Sequence, residues 1–175
     1  EFATLVEERP NLVLVPNLPN RGVATDMSWV GETVPAGDLE TLQAAAIDRP
    51  EAQEAFGIQA RNLARLNAAG MRIGLGTDGN TPYAAHIEME DMVASGMLPQ
   101  EVIVAATRNS ADLMRFPDLG TIEAGKSADF IVLDANPLDD ITNTRRINTV
   151  YIRGTAVDRA GLRAGWAGDV TGGGN

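Results

Sequence analysis

The chain contains no cysteine and a single histidine, His86, among 175 residues. The first absence removes disulfides, thiolate metal sites and cysteine nucleophiles. The second rules out any site built from several histidines within this chain alone. A Ser-His-Asp arrangement would have to use His86, and no Gly-x-Ser-x-Gly elbow precedes it. Basic residues are also scarce: 14 Lys and Arg stand against 24 Asp and Glu, for a net charge of −10. No basic cluster occurs, which argues against nucleic acid or an anionic membrane as partner, since both need a basic surface. No apolar run is long enough to span a bilayer. The lack of cysteine leaves the compartment open, with the cytoplasm favoured. Aromatics are few (5%), but a hydrophobic content of 44% fits an ordinary globular chain rather than a disordered one. The length suits one domain, or a domain with a small appendage. An initiator methionine is missing, as in a processed or truncated chain, and a targeting peptide stays open.

What is present is an alternation of short apolar runs and helical stretches. Residues 3–9 read as the end of a helix, broken by Pro10-Asn11. Leu12 to Val15 is a buried-strand candidate closed by Pro16. Asn17 to Gly37, with Trp29 inside it, reads as a long loop of the kind that shapes a pocket. Asp48 is expected to cap a helix over 51–69 with Pro50 in its first turn, and Phe56, Leu63 and Leu66 share one face. Residues 71–77 are the next strand, and Asp78 to Ala85 a loop. His86 to Ser95 reads as a helix with Met89, Met92 and Val93 on its apolar face, the set Met89, Met92 and Met97 as core filler, and Glu88 and Glu90 as solvated positions. Pro99 opens another helix to about Arg108, and Ser110 to Met114 a further short one. This order is a βαβα pattern. After Phe116 the character changes: residues 128–134, 147–153 and 155–157 are strand-like, with a turn at Gly154. Residues 159–175 form a glycine-heavy tail.

Asp78 is the leading candidate for chemistry. It ends the run Met71-Arg72-Ile73-Gly74-Leu75-Gly76-Thr77, and a strand that delivers an acid at its C-terminal tip is where parallel α/β enzymes place their chemistry. The competing reading is a turn aspartate, because Asp-Gly is also an ordinary turn pair. His86 either faces a pocket from the start of its helix or packs as a polar residue beneath the loop. Asn17, Asn20, Arg21 and Trp29 either meet substrate or belong to a plain surface loop. Gly120 to Ser127 agrees literally with the Gly-x4-Gly-Lys-Ser phosphate-loop pattern. No strand precedes it and no helix follows it, so it reads as a structural turn.

Taken in order, Gly76-Thr77-Asp78, His86 and Glu88, Ala105 to Ala111, Leu119 to Phe130, and Asn136-Pro137-Leu138 resemble the C-terminal portion of the metal-dependent amidohydrolase superfamily, nearest its imidazolonepropionase and prolidase-like branch. The resemblance runs from about residue 12 to 158. It implies an α/β fold: the last part of a (β/α)8 TIM barrel over residues 1–117, with 12–15 as strand seven and 71–77 as strand eight. Residues 118–158 would supply C-terminal strands of a small composite β-sandwich, followed by the tail at 159–175. It further implies a divalent metal, zinc by preference, as one or two ions, with Asp78 as both metal ligand and proton shuttle. Such a metal lowers the pKa of its water to ~7, and a carboxylate touching both can carry the proton to the leaving group. His86, Asn17 and Arg21 would meet an amide, cyclic amide or dipeptide substrate, and a homo-oligomer is expected.

The departures are equally plain. The superfamily pattern has a His-x-His pair on strand one, a lysine or acid on strand four and histidines on strands five and six, and none of these is here. A barrel needs ~250 residues, so a preceding polypeptide is expected to supply strands one to six and the other ligands. The alternatives are a non-catalytic barrel scaffold of the same fold and a free-standing α/β domain.

Overall fold

The computed structural model describes residues 2–79 and 81–169. Its frame is a pair of short strands. β1 (Val13–Leu14) runs parallel to β2 (Arg72–Ile73), with Val13 opposite Arg72 and Leu14 opposite Ile73. The apolar runs around them are longer than the strands themselves. The ladder closes where the Gly74 N–H donates to the Leu14 carbonyl at 2.9 Å, and Asn17 then turns the chain with φ of 43°. Parallel strands cannot be joined by a hairpin and need a long crossover. Here the crossover carries a 3-10 turn (Ser28–Glu32) and, after α1 (Phe2–Glu8) at the start of the chain, helices α2 (Ala36–Ala45) and α3 (Pro50–Ala68).

α3 follows its sequence signals closely. Pro50 occupies its first turn, Phe56, Ala60 and Leu63 are buried on one face, and the helix ends just before Gly70. Its N-cap, however, is Arg49 rather than Asp48. The Asp48 carboxylate instead accepts the Ala24 N–H at 2.9 Å, bracing the crossover loop. α2 cuts into the stretch read as loop. It has no fully buried residue, so it carries no apolar stripe for periodicity to reveal.

After β2 come α4 (Ala84–Ala94) and α5 (Pro99–Val104). α5 does not stop at Arg108. It passes through a π-helical turn (Ala105–Asn109) straight into α6 (Ser110–Leu113). The extra residue of a π-turn rotates the side chains that follow it. Asn109 Nδ2 then donates to the Ile73 carbonyl at 2.8 Å, and Ser110 Oγ donates to the Ala105 carbonyl and accepts the Leu75 N–H at 3.0 Å. The core gathers Leu63, Met71, Ile73, Met89, Met92, Met97, Val102, Ala105 and Ile141, so the methionines do serve as filler.

The last segment forms an antiparallel sheet in the order β3 (Phe130–Leu133), β4 (Ile147–Ile152) and β5 (Thr155–Ala156). Phe130 faces Tyr151 across the first ladder, and their rings stack at 4.6 Å. Between β3 and β4 a 3-10 turn (Ile141–Arg145) reaches back to α4 and places Ile141 in the main core. The glycine-heavy stretch read as a tail contains a helix, α7 (Arg159–Asp169), and residues 170–175 lie outside the described residues. The architecture is thus α/β with two small sheets. Among the described residues no helix is long and apolar enough to cross a membrane.

The Leu119 to Phe130 signature has a structural role at its first glycine. Gly120 adopts φ of 86°, and a Cβ there would lie 2.6 Å from Ala111 Cβ and 3.0 Å from Arg108 Cα. Gly120→Ala is therefore expected to cost about 2 kcal/mol or more, from left-handed strain plus overpacking against α6. Equilibrium denaturation of the variant against the parent checks this.

Candidate active site at the strand tips

Because β1 and β2 are parallel, their C-terminal ends emerge side by side. Asn17 leaves one and Gly76-Thr77-Asp78 leaves the other. The two tips touch. A Cβ at position 76 would lie 2.6 Å from Asn17 Oδ1 and closer still to Val15 Cγ1, so only glycine allows this approach. On its other side the β2 extension is held by Asn109 and Ser110. Thr77 Oγ1 donates to the Gly79 carbonyl at 2.8 Å and tightens the turn. At the end of this fixed segment Asp78 is exposed, and among the described residues its side chain makes no hydrogen bond or ion pair. It is a carboxylate on a braced backbone, not spent on any of those neighbours.

A carboxylate oxygen suits a divalent cation. The chain does not complete such a site by itself: among the described residues no group of three or more His, Cys, Asp or Glu is arranged to hold a metal ion. Asp78 fits a metal as a single donor.

The other predicted residues belong to a second cluster, built on α4. Glu88, Glu90 and Asp91 are all buried, which corrects the expectation that Glu88 and Glu90 face solvent. Each has a partner. Both Glu88 oxygens accept the Leu18 N–H, at 3.0 and 3.2 Å. Asp91 pairs with Arg21 Nε at 3.3 Å. Glu90 pairs with Arg145, whose guanidinium also lies 4.1 Å from the centroid of the Trp29 ring. Arg21, Glu90, Asp91 and Tyr83 share the lining of a cavity of about 220 Å³ with apolar residues of α2 and its preceding loop.

His86 stands in the first turn of α4, edge-on to Trp29 at 5.7 Å. Trp29 also meets Tyr83 edge-on at 6.2 Å. His86 Nδ1 lies 3.1 Å from Thr144 Oγ1, and that hydroxyl donates its own proton to the Ile141 carbonyl at 2.9 Å. The hydroxyl must then accept from His86, which puts the ring proton on Nδ1 and leaves Nε2 as an acceptor. Burial, and secondarily the charge of Arg145, hold the His86 pKa below its ordinary value, which favours this neutral form.

The structure therefore brings Asn17 to the Asp78 strand tip and places Arg21 and His86 around α4. Sequence reasoning missed the roles of Glu88, Glu90, Asp91, Asn109, Ser110 and Arg145. One signal was available for Glu88: it lies four positions before Met92, on the same helix face as a residue read as core.

A model described as the Amidohydrolase family matches residues 11–157. The chain is 37% identical over 86 residues to a 5-methylthioadenosine/S-adenosylhomocysteine deaminase of Halalkalibacterium halodurans, covering 42% of this chain and 19% of that protein. It is 32% identical over 111 residues to an imidazolonepropionase of Shouchella clausii, covering 58% of this chain and 25% of that protein. Among solved structures, a Xaa-Pro dipeptidase with methionine bound in its active site superposes with a TM-score of 0.62 at 25% identity, over 89% of this chain and 36% of that one. The chain thus spans about a fifth to a third of the proteins it matches.

Burial raises the Glu88 pKa from its ordinary 4.5 to about 7; the Leu18 N–H opposes the shift and Asp91 reinforces it. Below pH 4.5 the group is protonated whether folded or unfolded, so it carries no penalty. Between pH 4.5 and 7 the unfolded state ionises while the folded state stays protonated, so stability on the order of 3 kcal/mol is lost across that window and stays lost above it, where the folded state holds a buried charge. Glu88→Gln removes that titration. Denaturation at pH 5 and pH 8 is expected to show the variant gaining on the parent as pH rises.

Proposed function

The chain belongs to the amidohydrolase family, and from that we propose that it carries the last two strand–helix units of a hydrolase that cleaves C–N bonds of an amide, cyclic amide or dipeptide. In this reading residues 1–117 complete a (β/α)8 barrel, 118–158 contribute to a small sandwich, and α7 follows it. Two features support an incomplete sheet system. β1 and β2 pair only with each other among the described residues, and Ile131, Val132 and Ile152 of the second sheet remain exposed. The remaining metal donors would come from polypeptide corresponding to the part of the relatives that this chain does not match.

The observation that carries the proposal is the exposed Asp78 carboxylate on a braced strand tip, beside Asn17 from the neighbouring parallel strand. A divalent cation, zinc by preference, would supply Lewis acidity toward the scissile carbonyl and acidify the attacking water. Asp78 would hold that cation, and its carboxylate would accept a proton from the attacking water and return it to the leaving nitrogen. Asn17 presents a carboxamide next to the same tip and would orient the substrate carbonyl. His86, neutral with Nε2 as acceptor, would take a hydrogen bond from a substrate N–H. Arg21 commits Nε to Asp91, and its terminal nitrogens would meet a substrate carboxylate at the rim of the adjacent cavity.

The test uses the protein with its barrel complete. Metal analysis is expected to give one or two equivalents of a zinc-like ion. Asp78→Asn should lower kcat/KM about 10²–10⁴-fold against whichever of N-acyl amino acids, Xaa-Pro dipeptides or cyclic amides is cleaved. A folded protein that binds no metal and cleaves none of these would support the scaffold reading instead.

A further inference from the structure

Glu88 contributes nothing to the chemistry described above, yet it is a carboxylate only 5% exposed in the body of α4. Burying a carboxylate is costly unless something specific holds it. What it binds is a single backbone N–H, that of Leu18, contributed from 70 positions away and received by both oxygens. Leu18 follows Asn17 directly. Asn17 is one of only three non-glycine residues with positive φ among the described residues. Such a conformation costs on the order of 1–3 kcal/mol and persists only where the surroundings over-determine it. Two contacts do so here. Glu88 anchors the N–H immediately after Asn17, and Asn17 Oδ1 lies beside Val15 Cγ1 against Gly76, 2.6 Å from where a Cβ of residue 76 would be. Gly76 is two residues before Asp78. A continuous physical path therefore runs from Glu88 through the Leu18 amide and the Asn17 side chain to the Gly76 backbone and the tip.

We propose that Glu88 is a positioning residue for Asp78, holding Asn17 in its left-handed conformation so that its carboxamide buttresses the strand tip at Gly76. The inference rests on Asp78 being a metal ligand. Without the Leu18 anchor, Asn17 relaxes toward ordinary φ and its side chain leaves Gly76. Asp78 then samples more orientations, and a cation must pay the entropy of ordering it. Glutamine at position 88 keeps an oxygen acceptor for the same N–H, so it preserves the buttress; alanine does not.

The experiment is a titration of the metal-free, barrel-complete protein with Co²⁺ alone, in competition with a chromophoric chelator and with the visible Co²⁺ spectrum recorded. Asp78→Asn is the reference, and thermal unfolding verifies folding of each variant. Glu88→Ala is expected to weaken Co²⁺ about tenfold and to change the spectrum, with Glu88→Gln restoring both. Asn17→Ala, which removes the buttress directly, should weaken Co²⁺ in the same way and decides the matter if Glu88→Ala fails to fold. If Asp78→Asn weakens Co²⁺ but folded Glu88→Ala and Asn17→Ala keep parental affinity and spectrum, the positioning role is overturned and the ligand role stands. If Asp78→Asn itself leaves Co²⁺ affinity unchanged, the ligand reading falls and this inference falls with it.

Discussion

The parallel pairing of β1 with β2 is the constraint from which the rest follows. Two antiparallel strands would send their C-terminal ends to opposite sides of the sheet. Parallel strands send both the same way, and a register that sets Leu14 opposite Ile73 brings Asn17 and Gly76 to the same level. The contact between these residues depends on that alignment. So does the bracing from α6, because Asn109 and Ser110 bond to the backbone of the β2 run at Ile73 and Leu75. Asp78 is exposed, but the chain leading to it is held from two sides.

α4 organises the second half of the arrangement through charge. A helix that buries three acids needs cations or donors aimed at each, and these come from separate parts of the chain. Arg21 arrives from the loop after β1, the Leu18 amide from the same loop, and Arg145 from the turn between β3 and β4. Arg145 serves two neighbours at once, pairing with Glu90 and stacking on Trp29. Burial raises the pKa of Asp91 to about 6, with Arg21 opposing the rise and Glu90 adding to it. The helix thereby gathers the crossover loop and the C-terminal segment onto one surface beside the strand tips.

Much of this was legible in the residues and some was not. The alternating pattern located both strands and helices α3 and α4, because apolar stripes and Pro and Gly punctuation are local properties, but it overran the strands: only Val13–Leu14 and Arg72–Ile73 pair. The family followed from ordered short motifs, and the match over residues 11–157 agrees. α2 escaped notice because it buries nothing fully. The join of α5 to α6 escaped because a π-turn is stabilised by bonds to β2, which no local pattern records. The buried acids were misjudged for the same reason. Glu88 and Glu90 look solvated until Leu18 and Arg145 are brought to them from distant positions. Asp78 could be singled out because its place at the end of an apolar run is itself a local signal, and that exposed place at the strand tip is what the structure shows; its neighbour Asn17 had only its position after β1 to recommend it.

The turn at Ile141–Arg145 has a consequence for how the molecule comes apart. It lodges Ile141 among the core methionines, gives Thr144 to His86 and gives Arg145 to Glu90. The segment that follows the change in character after Phe116 is therefore pinned to the main body through this turn. Removing the small sheet would pull a wedge out of the main body and strand an acid in apolar surroundings. The two segments are mechanically interlocked, and an unfolding event that begins in one is expected to reach the other through His86 and Glu90, one turn apart on α4.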